Sequence, residues 1–234
     1  AIGAGHNAAG GDINISGDYY HGPDSQKKNP SINEADYALV INASNNHKES
    51  DNDAAVIGGA DSKGGSINIK NAYITLASKT ESEGAGIGSG ANSSLIADDM
   101  ADIKIENCYI YDTTAADRYA PTIGVGRSSD LDNIEIINSC VKGAGIGSSN
   151  LQAGFFSDPT IKISIKKSNV TANARTIAGT NRINARAAIG SGCYGSVQSI
   201  YIFLLILLLP KRTLRLVFST ITVATVKTIK ITAN

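Results

Sequence analysis

Ala85-Gly86-Ile87-Gly88-Ser89-Gly90 recurs as Ala144-Gly145-Ile146-Gly147-Ser148 and as Ala187-Ala188-Ile189-Gly190-Ser191-Gly192, with looser copies at Ile2-Gly3, Ile57-Gly58 and Ile123-Gly124. Self-similarity at an irregular spacing of a few tens of residues is the mark of a stacked architecture, in which each copy buries its apolar side against its neighbours. Working outward, a second phrase follows each copy. Ile67-Asn68-Ile69-Lys70-Asn71-Ala72-Tyr73-Ile74 matches Ile103-Lys104-Ile105-Glu106-Asn107-Cys108-Tyr109-Ile110 and Ile134-Glu135-Ile136-Ile137-Asn138-Ser139-Cys140-Val141. Fainter copies start at Ile13 and Ile163. The alternation has a period of two, so these are strands with the isoleucines inward.

Two such strands per repeat, joined by short turns of Gly, Asn, Asp and Ser, leave no room for crossover helices. A parallel coil satisfies the pattern. The shortest interval between Ile-Gly phrases, 23 residues from Ile123 to Ile146, is about one rung of such a coil, and longer intervals are corner loops. The expected fold is all-β, a right-handed parallel β-helix with rungs of roughly 23–30 residues and corner insertions. The long interval from Ile2 to Ile57 is expected to hide an extra rung, with Tyr37–Ile41 as its strand. The chain resembles the pectate-lyase-like β-helices, and its Gly-Ala-Gly-Ile-Gly phrases resemble repeats of large bacterial cell-surface proteins. That resemblance covers nearly the whole chain and speaks to architecture rather than activity.

Composition agrees with narrow layers filled by small and branched side chains. In 234 residues there are 24 Gly, nine Tyr, four Phe and no Trp. Residues 1–234 read as one elongated domain, which opens in mid-phrase and is expected to be a piece of a longer protein. Charge is balanced, 21 basic against 21 acidic residues, so no basic stripe recommends nucleic acid. Cys108, Cys140 and Cys193 form no Cys-x-x-Cys pair and read as small packed residues rather than a disulfide framework or zinc site.

Stacking in register aligns Asn71, Asn107 and Asn138, either as an amide ladder or as turn formers tolerant of left-handed dihedrals. Beside them Ala72, Cys108, Ser139 and Ser168 form a column of small residues. Tyr19, Tyr73 and Tyr109 form a third, outward column, which either stacks on sugar rings as a ligand-binding strip or packs on itself.

Residues 203–222 break the pattern. Phe203-Leu204-Leu205-Ile206-Leu207-Leu208-Leu209-Pro210 is too short to span a bilayer, which takes about 20 apolar residues. A frame error accounts for it: synonymous codons exist for Phe203–Phe218 that, read two bases later, encode Ser-Ala-Asp-Ser-Thr-Val-Thr-Glu-Lys-Asn-Ser-Lys-Ala-Gly-Ile, a missing repeat. The frame is then recovered by Val226-Lys227-Thr228-Ile229-Lys230-Ile231, which echoes Val197-Gln198-Ser199-Ile200-Tyr201-Ile202. The alternative is a genuine apolar end cap.

For chemistry, the glycine phrase lacks the following helix that a phosphate-binding loop needs, so no nucleotide cofactor is expected. The carboxylates are the better candidates. Asp98, Asp99 and Asp102 lie in one polar stretch and Asp130 and Asp132 in the equivalent stretch one rung later. Brought together along an edge, they would bind Ca²⁺ or flank a glycosidic bond as an acid/base pair; left apart, they are solvated turn residues. Polysaccharide lyases of the resembled fold pair acidic calcium ligands with a basic residue, for which Lys104, Arg118 and Arg127 are nearest. His6, His21 and His47 have no partner at a telling spacing. The expectation is a non-catalytic extracellular module, serving as a cell-surface stalk, adhesin or glycan-binding surface whose partner is a polysaccharide or host glycan. The alternative is a polysaccharide lyase or glycoside hydrolase working along the Asp98–Asp132 edge.

Overall fold

In a computed structural model the described residues are 2–3, 11–18, 32–45, 54–59, 65–78, 82–91, 98–116, 119–126, 129–149, 161–174, 187–191 and 198–203. They form three parallel sheets wound as a β-solenoid. The first holds the Ile-Gly phrases, β1 (Ile2–Gly3), β4 (Ile57–Gly58), β7 (Ile87–Gly88), β10 (Ile123–Val125), β13 (Ile146–Ser148) and β16 (Ile189–Gly190), in that order. The second stacks β2 (Ile13–Ser16), β5 (Ile67–Lys70), β8 (Asp98–Glu106), β11 (Ser129–Ile137), β14 (Lys162–Lys166) and β17 (Ser199–Phe203). The third stacks β3 (Leu39–Asn45), β6 (Ala72–Ser78), β9 (Tyr109–Asp112), β12 (Cys140–Gly143) and β15 (Asn169–Ala172).

A rung therefore has three strands, not two, because the Ile-Gly phrase is itself a strand. Its two residues are too few to show an alternation, so it reads in sequence as a corner. The hidden rung is also corrected. Ile2 pairs directly with Ile57, while Leu39–Asn45 lies in register with Ala72–Ser78 as the third strand of the first rung. Between Ile2 and Ile57 the described strands are β2 and β3, one in the second sheet and one in the third.

Register carries like onto like. Ile57, Ile87, Ile123 and Ile146 stack in the first sheet, Ile67, Ile103, Ile134 and Ile163 in the second, and Ile74, Ile110, Val141 and Val170 in the third. Most of these side chains are wholly buried in one continuous core. Full burial of each contributes about 1.5–3 kcal/mol, so the column is the principal source of cohesion.

Glycine makes the close approach possible. Gly58, Gly88, Gly124 and Gly147 all have φ between 129° and 141°, a region that side chains avoid. A Cβ on Gly88 would lie 1.6 Å from the carbonyl oxygen of Gly124 in the next rung, and the same collision repeats along the column. At the next corner Asn71, Asn107 and Asn138 sit in the left-handed region, with φ of 53°, 53° and 45°. Both readings of the asparagines hold at once: each turns the chain, and Asn107 Nδ2 donates to Asn71 Oδ1 at 3.1 Å. The small-residue column is a second ladder. Cys108 N–H donates to Ser139 Oγ and Ser139 N–H to Ser168 Oγ, each at 3.1 Å.

Candidate functional site

The acidic edge is built by β8 and β11, each nine residues long and paired over almost their whole length. Their register sets Asp99 beside Asp130 and Asp98 beside Ser129. Neighbouring strands lie roughly 4.8 Å apart, so the topology does bring acidic residues from the two stretches to one place. Further along, Leu131 and Ile134 are both buried although three positions apart, so the period of two slips by one residue between them. Asp132 falls in that slip and is exposed. Asp102 is exposed and faces Asn133, whose Nδ2 donates to its Oδ1 at 2.6 Å.

Beyond this edge the outer face of the second sheet is a ladder of opposite charges. Glu135 lies between Lys104, at 3.8 Å, and Lys166, at 2.7 Å, and Lys70 lies 3.5 Å from Glu106. Lys104, the nearest basic neighbour of the carboxylates in sequence, is thus engaged with Glu135; Arg118 and Arg127 lie outside the described residues. Among the described residues no group of three or more His, Cys, Asp or Glu is placed to hold a metal ion.

The aromatic column runs over the outer face of the third sheet. Tyr73 and Tyr109 stack at 4.7 Å between centroids with planes 13° apart, and Tyr37 leans on Tyr73 at 5.9 Å. Tyr19 lies outside the described residues. Tyr37 arrives from a 3₁₀ turn, Glu34–Asp36, capped by the Asn33 side chain, which accepts from Ala35 N–H. Alternation points these rings away from the solenoid core, yet Tyr109 is only 6 % exposed, clustered with Tyr37 and Cys140 and with Lys142 Nζ 5.8 Å from its ring centroid. Burial, with the electrostatic influence of the neighbouring Tyr109 adding to it, pushes the Tyr73 phenol above its ordinary range. Tyr111, two residues along β9, presents an exposed ring between Thr75 and Lys142 in the flanking strands.

Both described thiols are buried. Cys108 is buried with Sγ 3.1 Å from the Glu106 carbonyl oxygen, and burial pushes its pKa up to about 12. Cys140 is shifted upward for the same reason, with Lys142 opposing. Cys193 and the three histidines lie outside the described residues.

One buried carboxylate is absent from the candidates that the sequence suggests. Asp112, 2 % exposed, accepts from Thr114 N–H and Oγ1 through Oδ1 and from the buried Thr122 hydroxyl through Oδ2 at 2.8 Å. Thr122 Oγ1 in turn accepts from Ala144 N–H at 2.7 Å. The group clamps the corner between the third sheet and the first. Its signal in the sequence is the phrase Asp112-Thr113-Thr114, an Asp able to cap its own turn two residues on.

No protein-family model matches the chain, no curated protein is similar to it, and no solved structure matches it. No helix among the described residues is long and apolar enough to cross a membrane.

Proposed function

We propose that the chain is a non-catalytic, extracellular module of a larger bacterial surface protein, a right-handed β-helix of the pectate-lyase-like kind that holds out a glycan-binding face. The observation that carries this reading is the outer face of the second sheet. Along it Lys70, Lys104, Glu106, Glu135 and Lys166 neutralise one another across strands instead of converging on a pocket. A regular face of this kind spaces and binds without chemistry. Right-handed winding is supported by the strong chirality of connections between parallel strands. Of the ring faces, that of Tyr111 is open to a sugar, while Tyr73 and Tyr109 cover each other.

The second reading is a polysaccharide lyase or glycoside hydrolase, with Ca²⁺ held by Asp98, Asp99, Asp102, Asp130 and Asp132. Its support is the pairing of Asp99 with Asp130. Incubating the protein with pectins and other plant or host glycans separates the two. Retention without turnover, weakened by Tyr111→Ala, supports a binding module. New reducing ends or unsaturated products that vanish in Asp99→Ala or Asp130→Ala would establish catalysis, and their loss on chelation would establish the metal.

A further inference from the structure

The outer faces of the second and third sheets treat charge differently. On the second, Lys70, Lys104 and Lys166 each lie within 3.8 Å of a carboxylate of Glu106 or Glu135. On the third, alternation turns one column of side chains outward along the solenoid axis in the order Asn42, Thr75, Tyr111, Lys142 and Thr171. The column beside it, from Val40 to Asn169, holds Tyr73 and Tyr109 and no charged side chain. Among the described residues that face outward from the strands of this sheet, Lys142 therefore bears the one charge.

No acid is provided to meet that charge. The Lys142 ammonium lies 5.8 Å from the Tyr109 ring centroid, and no ion pair joins it to a carboxylate among the described residues. Glu34, in the 3₁₀ turn, exerts its charge on Tyr73 in the neighbouring column. A solvated lysine is ordinary by itself, and so is an exposed ring. Here register puts the two side by side: Lys142 pairs with Tyr111, which is 42 % exposed, in the next strand. Strands lie about 4.8 Å apart, so the acid group of a sugar lying on the Tyr111 ring comes within reach of the flexible lysine stem. To either side the column is neutral. The Thr75 hydroxyl donates to Asn42 Oδ1, which leaves lone pairs on Thr75 and the Asn42 amide donors for sugar hydroxyls, and Thr171 follows Lys142.

We infer that the glycan held at Tyr111 carries an isolated acid, one sugar whose carboxylate meets Lys142 between neutral sugars that lie over Thr75 and Thr171. This rests on the glycan-binding reading above. A polymer with a carboxylate on every sugar fits the face less well. Rungs repeat about every 4.8 Å, close to the length of one sugar unit, so its next carboxylates would be stripped of water over threonines that return no charge.

The probes are methyl galactoside, methyl galacturonide and tetragalacturonate, which carry no carboxylate, one, and one on every sugar. Titrations of the full chain are followed by the shifts of its tyrosine ring protons. Galacturonide is expected to bind about threefold to fivefold more tightly than galactoside, the worth of one exposed ion pair. That preference is expected to vanish in Lys142→Met, which keeps the stem over Tyr109, to persist in Lys142→Arg, and to fade at about 0.5 M salt, where the Debye length is only a few Å. Tetragalacturonate is expected to bind no more tightly than its larger number of sugars explains by statistics. All three positions of the test are solvent-facing, and an unchanged circular dichroism spectrum confirms that each variant is folded. Equal binding of galactoside and galacturonide, or a preference that survives Lys142→Met, overturns the inference and leaves the glycan reading standing. Tetragalacturonate that binds beyond its statistics overturns the isolation of the acid. If neither monosaccharide moves the ring signals, or if both bind Tyr111→Ala as well as wild type, the glycan reading itself falls and takes the inference with it.

Discussion

Asn138 Nδ2 donates to Asn107 Oδ1 at 2.8 Å, while Asn138 Oδ1, buried, has no hydrogen-bond partner among the described residues. The amide ladder stops here because the next rung puts Lys167 at the corner, in the left-handed region with φ of 50°. Lysine offers no amide to Asn138 and is less at ease in that conformation than asparagine. Lys167→Asn is expected to add a rung to the ladder and stabilise the fold by about 1 kcal/mol, raising Tm by roughly 2–4 °C. Asn107→Ala, which removes the middle amide and forces alanine into the left-handed region, is expected to cost about 2 kcal/mol. Thermal unfolding followed by circular dichroism checks both; a Lys167→Asn protein no more stable than wild type would deny the ladder an energetic role.

The glycine column is expected to be far less forgiving. In Gly88→Ala the new Cβ would lie 1.6 Å from backbone that has no flexible end to withdraw, and φ of 141° adds strain of its own. The rungs must separate there, at a cost of roughly 3 kcal/mol or more. Gly11→Ala is the control. Among the described residues nothing lies within 4 Å of where its methyl group would stand, so the change is expected to fall within about 0.5 kcal/mol of neutral. Urea midpoints for the two proteins give the comparison.

Removing the Asp112 carboxylate strips partners from Thr114 N–H and from the fully buried Thr122 hydroxyl together. Asp112→Ala is expected to cost about 1–3 kcal/mol, the penalty for leaving a buried polar group without its partner. Asp112→Asn keeps an acceptor for Thr114 and is expected to lose less. The corner between β9 and β10 should also exchange its amide hydrogens faster in Asp112→Ala than in the wild type, which hydrogen exchange by mass spectrometry resolves locally.

Much of this architecture is legible in the sequence because stacking repeats its demands at every rung. Ile103 and Ile105, or Ile134 and Ile136, announce inward positions by alternation, and Asn71, Asn107 and Asn138 declare a shared corner by recurring in step. The Ile-Gly strands read as corners because two residues carry no period. The chain between Ile2 and Ile57 is long enough to suggest a rung of its own for β3, and length does not reveal whether an insertion sits inside a rung or between rungs. Of the candidate site, the pairing of Asp99 with Asp130 follows from register alone. The cover over Tyr109 does not, because Tyr37 comes from a turn outside the repeat and nothing in the periodic phrases requires it.

Cys108 tests whether the small-residue column is packing or chemistry. Its thiol is buried, and its pKa of about 12 lies above the ordinary thiol value of 9.0. At pH 8 the folded protein therefore holds almost no thiolate, the form that reacts with alkylating agents. Iodoacetamide is expected to leave Cys108 unmodified until denaturant is added. The sign of the stability effect follows from the same shift. Since folding favours the protonated thiol, its contribution is complete below the unfolded thiol's pKa near 9 and declines as pH rises toward 12. Cys108→Ser places at this corner the hydroxyl already present at Ser139 and Ser168, which donates to a backbone carbonyl two residues back, at 2.7 and 2.8 Å. The serine variant is expected to fold with near wild-type stability and to lose the thiol's share of the decline between pH 9 and 12, measured by urea unfolding across that range. Rapid alkylation of native Cys108 would instead mark it as a reactive thiol.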